Sequence, residues 1–169
     1  MSSKNYLSIY AKSFNWAGFF LPKKTYKNCS YLYDFCRVVD NIADDEGEIE
    51  IKKIKFQKFV SDFKQKNFEN PIIQNMWHII NEFNISLEII YDLFDGIESD
   101  IKQNVKIDTR KDLLIYCYRV AGTVGLMMAK ILKVSKKQSL KSAIDLGIAM
   151  QLTNISVSYT HLTLPTMMS

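Results

Sequence analysis

Tyr31-Leu-Tyr-Asp-Phe-Cys-Arg-Val-Val-Asp-Asn-Ile-Ala-Asp-Asp45 is the stretch on which the reading of this chain turns. It holds no Gly or Pro, which predicts a single helix. On a helix, Tyr33, Arg37, Asp40 and Asp44 step by four, three and four residues and therefore share a face. Leu32, Phe35, Val39 and Ile42 form the adjoining apolar stripe that can hold the helix in a core. Two carboxylates one turn apart suit a hard cation bound through oxygen. An Arg one turn before them suits an anionic group such as a phosphate. The same residues would also make a solvated face with an i,i+3 ion pair, and spacing alone leaves both readings open.

Around this stretch, the 169 residues are enough for one domain with a sizeable core. A chain that is 47% hydrophobic and 24% charged reads as soluble and globular. The net charge of +4 is modest and Lys and Arg are spread along the chain, so no nucleic-acid footprint is expected. The excess is compatible with an anionic substrate or an anionic membrane surface. Cys29, Cys36 and Cys117 are an odd number without metal-type spacing, which points to a reducing cytosol. Cys36 and Cys117 read as small buried hydrophobes. His78 has no partner motif of the kind a metal site needs and reads as structural or surface. The apolar run from Phe14 to Leu21 is too short to span a membrane.

The rest of the chain repeats the helical period, with six Gly and three Pro as punctuation, so the expected fold class is all-α. Ser2 or Ser3 caps a first helix reaching about Asn15. Pro22 opens the helix that carries the quoted stretch, and Gly47 marks the turn after it. Glu48 to Phe63 is amphipathic, with Ile51, Ile54, Phe59 and Phe63 expected in the core. Asn70-Pro71 starts a helix to about Phe83. Asn84 or Ser86 caps the next, with Glu88 in its first turn, running through Asp100; Asp92, Asp95 and Glu98 are expected on its exposed surface. Asp108 or Thr109 caps a helix that includes Tyr116 to Gly125. A mid-helix Gly costs about 1 kcal/mol against Ala, and Gly122 and Gly125 both stand there. Close helix packing and room for a ligand both explain that cost. Ser135 or Ser139 starts the last clear helix, on which Gly147, Gln151 and Asn154 share a face.

Three motifs now stand in order: the quoted stretch, Tyr116-Cys-Tyr-Arg-Val-Ala-Gly-Thr-Val-Gly125, and Leu146-Gly-Ile-Ala-Met-Gln-Leu-Thr-Asn-Ile155. Together they resemble the squalene/phytoene synthase family over about Lys12 to Ile155, roughly the first half of a typical member. The resemblance implies an isoprenoid-synthase-like helical bundle around a central cavity, of which only the N-terminal part is present. It implies head-to-head coupling of two prenyl diphosphates through a cyclopropyl diphosphate. It assigns Asp40 and Asp44 to magnesium, with manganese as a substitute, and Arg37 and Tyr33 to diphosphate or to ordering the carboxylates. Ser13 and Phe14 are placed at the pocket mouth. Tyr116, Ala121, Val124 and Gly125 are placed beside the substrate, and Gln151 and Asn154 on its polar lining. Gly96 and Asp100 match a Gly-x-x-x-Asp pattern of the family. Asn41 stands where many members have Asp, which puts the strength of metal binding in doubt.

The chain departs from that pattern after Ile155. The family continues with Arg and Asp where this chain has Val157, Ser158 and Leu162. Val157-Ser-Tyr-Thr-His-Leu-Thr-Leu-Pro-Thr166 corresponds to one reading frame of a common transposase sequencing adapter. The expected organisation is therefore a partial synthase domain over 1–156 and a foreign tail over 157–169. The helix is expected to end near Ser156, because Thr160, Thr163 and Thr166 are poor formers and Pro165 breaks it. The resemblance implies phytoene formation from geranylgeranyl diphosphate in carotenoid or isoprenoid biosynthesis, by frequency among bacterial members. The alternatives are squalene or dehydrosqualene formation from farnesyl diphosphate, or a non-catalytic assembly or binding protein. NADPH is expected only if squalene forms. The expected location is the cytoplasm, with peripheral membrane association for a lipophilic product; oligomeric state is left open. With the second carboxylate motif missing, the chain itself is expected to be inactive.

Overall fold

The computed structural model describes residues 18, 20–102 and 107–163, without the side chains of 158–163. Every regular element among them is helical. The expected first helix over residues 2–15 lies outside the described residues.

Helix α1 spans Lys23–Asp44, with Pro22 at its N-cap, one residue earlier than a first-turn position. Leu32, Phe35 and Val39 are fully buried, and Ile42 packs at the margin of the core. Helix α2 spans Ile49–Lys64 and buries Phe59 and Phe63 as expected, but not Ile51 and Ile54. Ile51 and Ile54 are 46% and 64% exposed, while Phe56, Phe59 and Phe63 are buried. The three phenylalanines, at i, i+3 and i+7, win the inner face because each buries more apolar area than an isoleucine and finds aromatic partners. Phe63 lies 5.6 Å from the Phe35 ring and 5.4 Å from that of Phe94.

Helix α3, Pro71–Phe83, begins at Asn70, whose side chain accepts the Ile72 N–H at 3.0 Å. It ends at Asn84, in the left-handed region with φ 48°. Asn tolerates that conformation better than most residues. Helix α4, Leu87–Ile101, starts at Ser86, which accepts the Glu88 N–H at 3.3 Å. Helix α5, Arg110–Cys117, opens on a capping box between Thr109 and Asp112. It runs on through a π-helical turn, Tyr118–Gly122, into α6, Thr123–Ile131. The unbroken 22 residues are apolar and long enough to cross a membrane by length and composition. Here they pack between α4 and α7.

Helix α7 spans Lys137–Thr163, starting between the two candidate cap serines. It does not end near Ser156, as the threonines and Pro165 suggested. Each Thr costs only a few tenths of a kcal/mol, and an existing helix extends without a new nucleus.

Pair contacts set the directions. Lys24 Nζ meets Glu82 at 2.6 Å and the Tyr31 ring stands edge-on to His78, so α1 and α3 are antiparallel. Lys130 Nζ donates to the Asn84 carbonyl at 3.2 Å, which brings the end of α6 to the end of α3. A Cβ on Gly125 would collide with the Ala143 carbonyl, and one on Gly147 with that of Ala121. Of the two explanations for these glycines, close backbone packing is the one the crossing with α7 requires. One end of the bundle thus collects the start of α1, the end of α3, the start of α4, the end of α6 and the start of α7. The opposite end holds the close of α1 and α4 and the start of α5.

Candidate active site

The quoted stretch forms the face its spacing implies. Arg37 Nη1 donates to Asp40 Oδ2 at 2.8 Å, so the i,i+3 ion pair exists. It is not a plain solvated pair. Burial, and then the neighbouring Asp44, push the Asp40 carboxyl above its usual range, with Arg37 opposing. Burial likewise raises the Tyr33 phenol, and Arg37 pulls it back.

Three further helices reach this face. On α4, Asp100 feels Asp40 and Asp44, and burial carries its pKa up to about 6. Tyr116, on α5, hydrogen-bonds Asp100 and also Gln151 on α7. Burial, and then the charge of Asp100, lift the Tyr116 phenol well above the ordinary tyrosine range. The chain Asp100–Tyr116–Gln151 therefore links α4, α5 and α7 at the end of α1 that carries Asp40 and Asp44.

The α4 carboxylates are not all plain surface. Asp92 accepts the Tyr118 hydroxyl at 3.1 Å and Asp95 pairs with Arg119 at 3.5 Å. These contacts, with the close approach of Gly96 to Val120, seat the π-helical turn on α4. Glu98 pairs with Lys102 at 2.9 Å. Sequence reasoning missed the role of Asp92, since its partner lies 26 residues away. The four-residue step from Asp92 to Gly96, with Tyr118 opposite, is the only signal it carried.

Other expected residues are placed as follows. Ser13 and Phe14 lie outside the described residues. Val124 is partly buried against the core, and the Ala121 carbonyl faces Gly147. Asn154 is exposed, one turn beyond Gln151 on α7. His78 is exposed and pairs with Glu82 at 3.0 Å, far from the carboxylates along α3. Cys29, Cys36 and Cys117 are free; burial pushes Cys29 up to about 11 and Cys36 to about 12, which keeps both as unreactive thiols. A cleft of about 540 Å³ between α2 and α4, floored by Phe56, Tyr91 and Phe94, contains none of the clustered carboxylates.

Among the described residues, no three His, Cys, Asp or Glu side chains cluster tightly enough to hold a metal by themselves. Asp40 and the exposed Asp44 are two oxygen donors on adjacent turns, with Arg37 bonded to Asp40 and the Asp40 carboxyl raised by burial and then by Asp44. Such a pair suits a hard dication whose remaining positions are filled by ligand oxygens and water.

The family pattern described as squalene/phytoene synthase matches residues 7–159. The phytoene synthase of Pseudescherichia vulneris is 31% identical over 158 residues, covering 86% of this chain and 51% of that one. The 4,4'-diapophytoene synthase of Staphylococcus haemolyticus is 32% identical over 151 residues, covering 86% and 53%. The crystal structure of a dehydrosqualene synthase in complex with ligand superposes with a TM-score of 0.66 at 27% identity, over 89% of this chain and 53% of that one. The chain spans about half the length of the relatives it matches.

Proposed function

Because this chain belongs to the squalene/phytoene synthase family, we propose that the longer protein of which it forms part couples two prenyl diphosphates head to head, as a prenyltransferase of isoprenoid biosynthesis. The preferred substrate is geranylgeranyl diphosphate and the preferred product phytoene. The observation that carries the reading is the meeting of Asp40 and Asp44 with Asp100, Tyr116 and Gln151 from three other helices.

In this reading Asp40 and Asp44 hold magnesium, which when bound neutralises diphosphate charge and eases its departure. Arg37 binds a diphosphate oxygen in this reading, which its 2.8 Å bond to Asp40 beside the same face supports. Tyr33 lies one turn earlier on the same face and donates its hydroxyl towards the same anion. Tyr116, held by Asp100 and Gln151, presents a fixed aromatic ring and dipole to the positive charge left on the allylic chain. Val124 and Ala121 are the wall residues of this reading, with Gly125 beside them taken up by the crossing with α7, and Asn154 extends the polar lining from Gln151. The three free thiols support a cytosolic location.

The diapophytoene synthase relative, at similar identity, favours a second reading in which farnesyl diphosphate is coupled instead; NADPH enters only if squalene is formed. Labelled geranylgeranyl and farnesyl diphosphates, each incubated with the longer protein with and without magnesium, separate the two. Failure to convert either one would remove the enzymatic reading in favour of a binding or assembly role. The 169-residue chain is proposed to be inactive alone, because it carries one carboxylate motif where the family pattern has two. Magnesium-dependent product from this chain would refute that.

A further inference from the structure

Helix α1 does not close its own C-terminal end. The last carbonyls of any helix lack partners within it and need a cap. Asp45, the residue after α1, has φ -55° and ψ 140°, so the chain leaves the helix extended and no left-handed cap forms there. Gly47 supplies none either, since no glycine among the described residues has a positive φ. The last turn holds no basic residue. Instead Asp40, Asp44 and Asp45 crowd the negative pole of the helix dipole, where carboxylates are unfavourable.

Helix α2 supplies what is missing. Lys52 Nζ donates to the Ala43 carbonyl at 2.9 Å, on the peptide group that joins Ala43 to Asp44. Lys55 Nζ meets Asp45 at 2.5 Å, on the other side of Asp44. Two cations from one turn of α2 thus bracket the last residue of α1. Lys55 and Asp45 are both well exposed, so water screens that pair. Lys52 is half-buried, and its bond to the carbonyl is the better sheltered of the two. Lys53, beside it, turns back to Glu50 of its own helix at 2.6 Å and takes no part.

We propose that Lys52 is a positioning residue for metal binding: by closing the end of α1 it holds the Asp44 carboxylate one turn from Asp40, in register to share a dication. The assignment rests on Asp40 and Asp44 being the magnesium-holding pair. Asp40 lies a full turn inside the helix and is bonded to Arg37. Asp44 is the last residue of α1, on a turn that frays unless its carbonyls find partners. It is therefore the member of the pair that depends on another helix. Lys52 also brings a positive charge, which by itself repels a dication. The two effects have opposite signs. Acting by charge alone, Lys52 would weaken metal binding; acting by geometry, it strengthens it.

The test is titration of the longer protein with manganese, read from the electron paramagnetic resonance signal of the free ion, so that no turnover is needed. Lys52→Gln is expected to bind manganese about tenfold more weakly, the usual scale for a group that orients a metal ligand. Lys52→Arg keeps a donor for the Ala43 carbonyl and should stay within about twofold of the parent. Lys53→Gln, which leaves that carbonyl capped, should bind as the parent does. The manganese that Asp44→Asn still binds should be unaffected by adding Lys52→Gln, because the effect runs through that carboxylate. Amide hydrogen exchange in the last turn of α1 should quicken in Lys52→Gln and not in Lys53→Gln. Unchanged or tighter manganese binding by Lys52→Gln would overturn the proposal. So would an equal loss in Lys53→Gln, or a further loss on top of Asp44→Asn. Failure of the underlying metal reading shows separately, as manganese binding that Asp44→Asn alone does not move, and it would take the proposal with it.

Discussion

The two ends of this bundle are built from the same helices and carry opposite charge for different physical reasons. At the end with Asp40, Asp44 and Asp100, like charges are brought together where Asp40 and Asp100 are partly buried, so burial first and the neighbouring carboxylates next raise the proton affinity of those two. At the opposite end, lysines are equally crowded along the chain but extend into water, and exposed like charges interact weakly. Crowding stores electrostatic tension only where solvent is excluded. The tense end suits a dication; the relaxed end stays a solvated patch.

The largest effect should follow from cutting the tense end directly. Asp40→Asn or Asp44→Asn in the longer protein is expected to lower turnover by on the order of a thousandfold while helicity stays unchanged. Unchanged product yield at saturating magnesium in both variants would sink the proposed metal role and with it the contrast between the ends.

The two ends are held in register by the seam between α6 and α7. Gly125→Ala would drive a methyl into the Ala143 carbonyl, at a cost of about 1–3 kcal/mol by overpacking. Denaturant titration should show the lower midpoint. An unchanged midpoint would mean the helices part freely, and Gln151 would not be fixed against Tyr116.

A gentler probe relieves the tension through pH. Asp100 is raised from 3.8 to about 6, chiefly by burial. A raised carboxyl binds its proton more tightly in the fold, so its stabilising contribution is full below 3.8 and is lost as pH rises through about 6. Asp100→Asn should flatten the stability profile across that window and leave the protein more stable at neutral pH. A profile with its slope intact would identify another group as the one titrating.

The smallest effect belongs to the relaxed end. Lys136→Gln with Lys137→Gln should change folding stability by no more than about 0.5 kcal/mol, measured by the same titration. A larger gain in stability would show that repulsion is stored there too, and the two ends would differ less than their burial suggests.

Much of the helical plan was legible in advance because its signals are local. Asn70-Pro71, Ser86 and the Thr109–Asp112 box act within one turn of themselves, and each starts a helix as expected. The four-three-four step of Tyr33, Arg37, Asp40 and Asp44 also needs nothing beyond helical geometry. The face of α2 was not legible in the same way. Phe59 and Phe63 point inward as expected, but Phe94, from another helix, draws Phe56 inward with them and leaves Ile51 and Ile54 outside. The extension of α7 past Ser156 shows the same limit in a milder form: weak single-residue preferences yield to a helix already formed.

By itself, then, the sequence determined that the chain is helical, where most helices begin, and that an aromatic, a guanidinium and two carboxylates share a face of α1. These follow from bonds and contacts spanning a few residues. Only the tertiary structure decided that Asp100 and Tyr116 stand against that face, that Gly125 and Gly147 serve a backbone crossing, and that Lys24 and Lys130, far apart in the chain, gather at one end of the bundle. Those depend on how helices far apart in the chain pack, which is set by the burial of the shared core rather than by any local pattern.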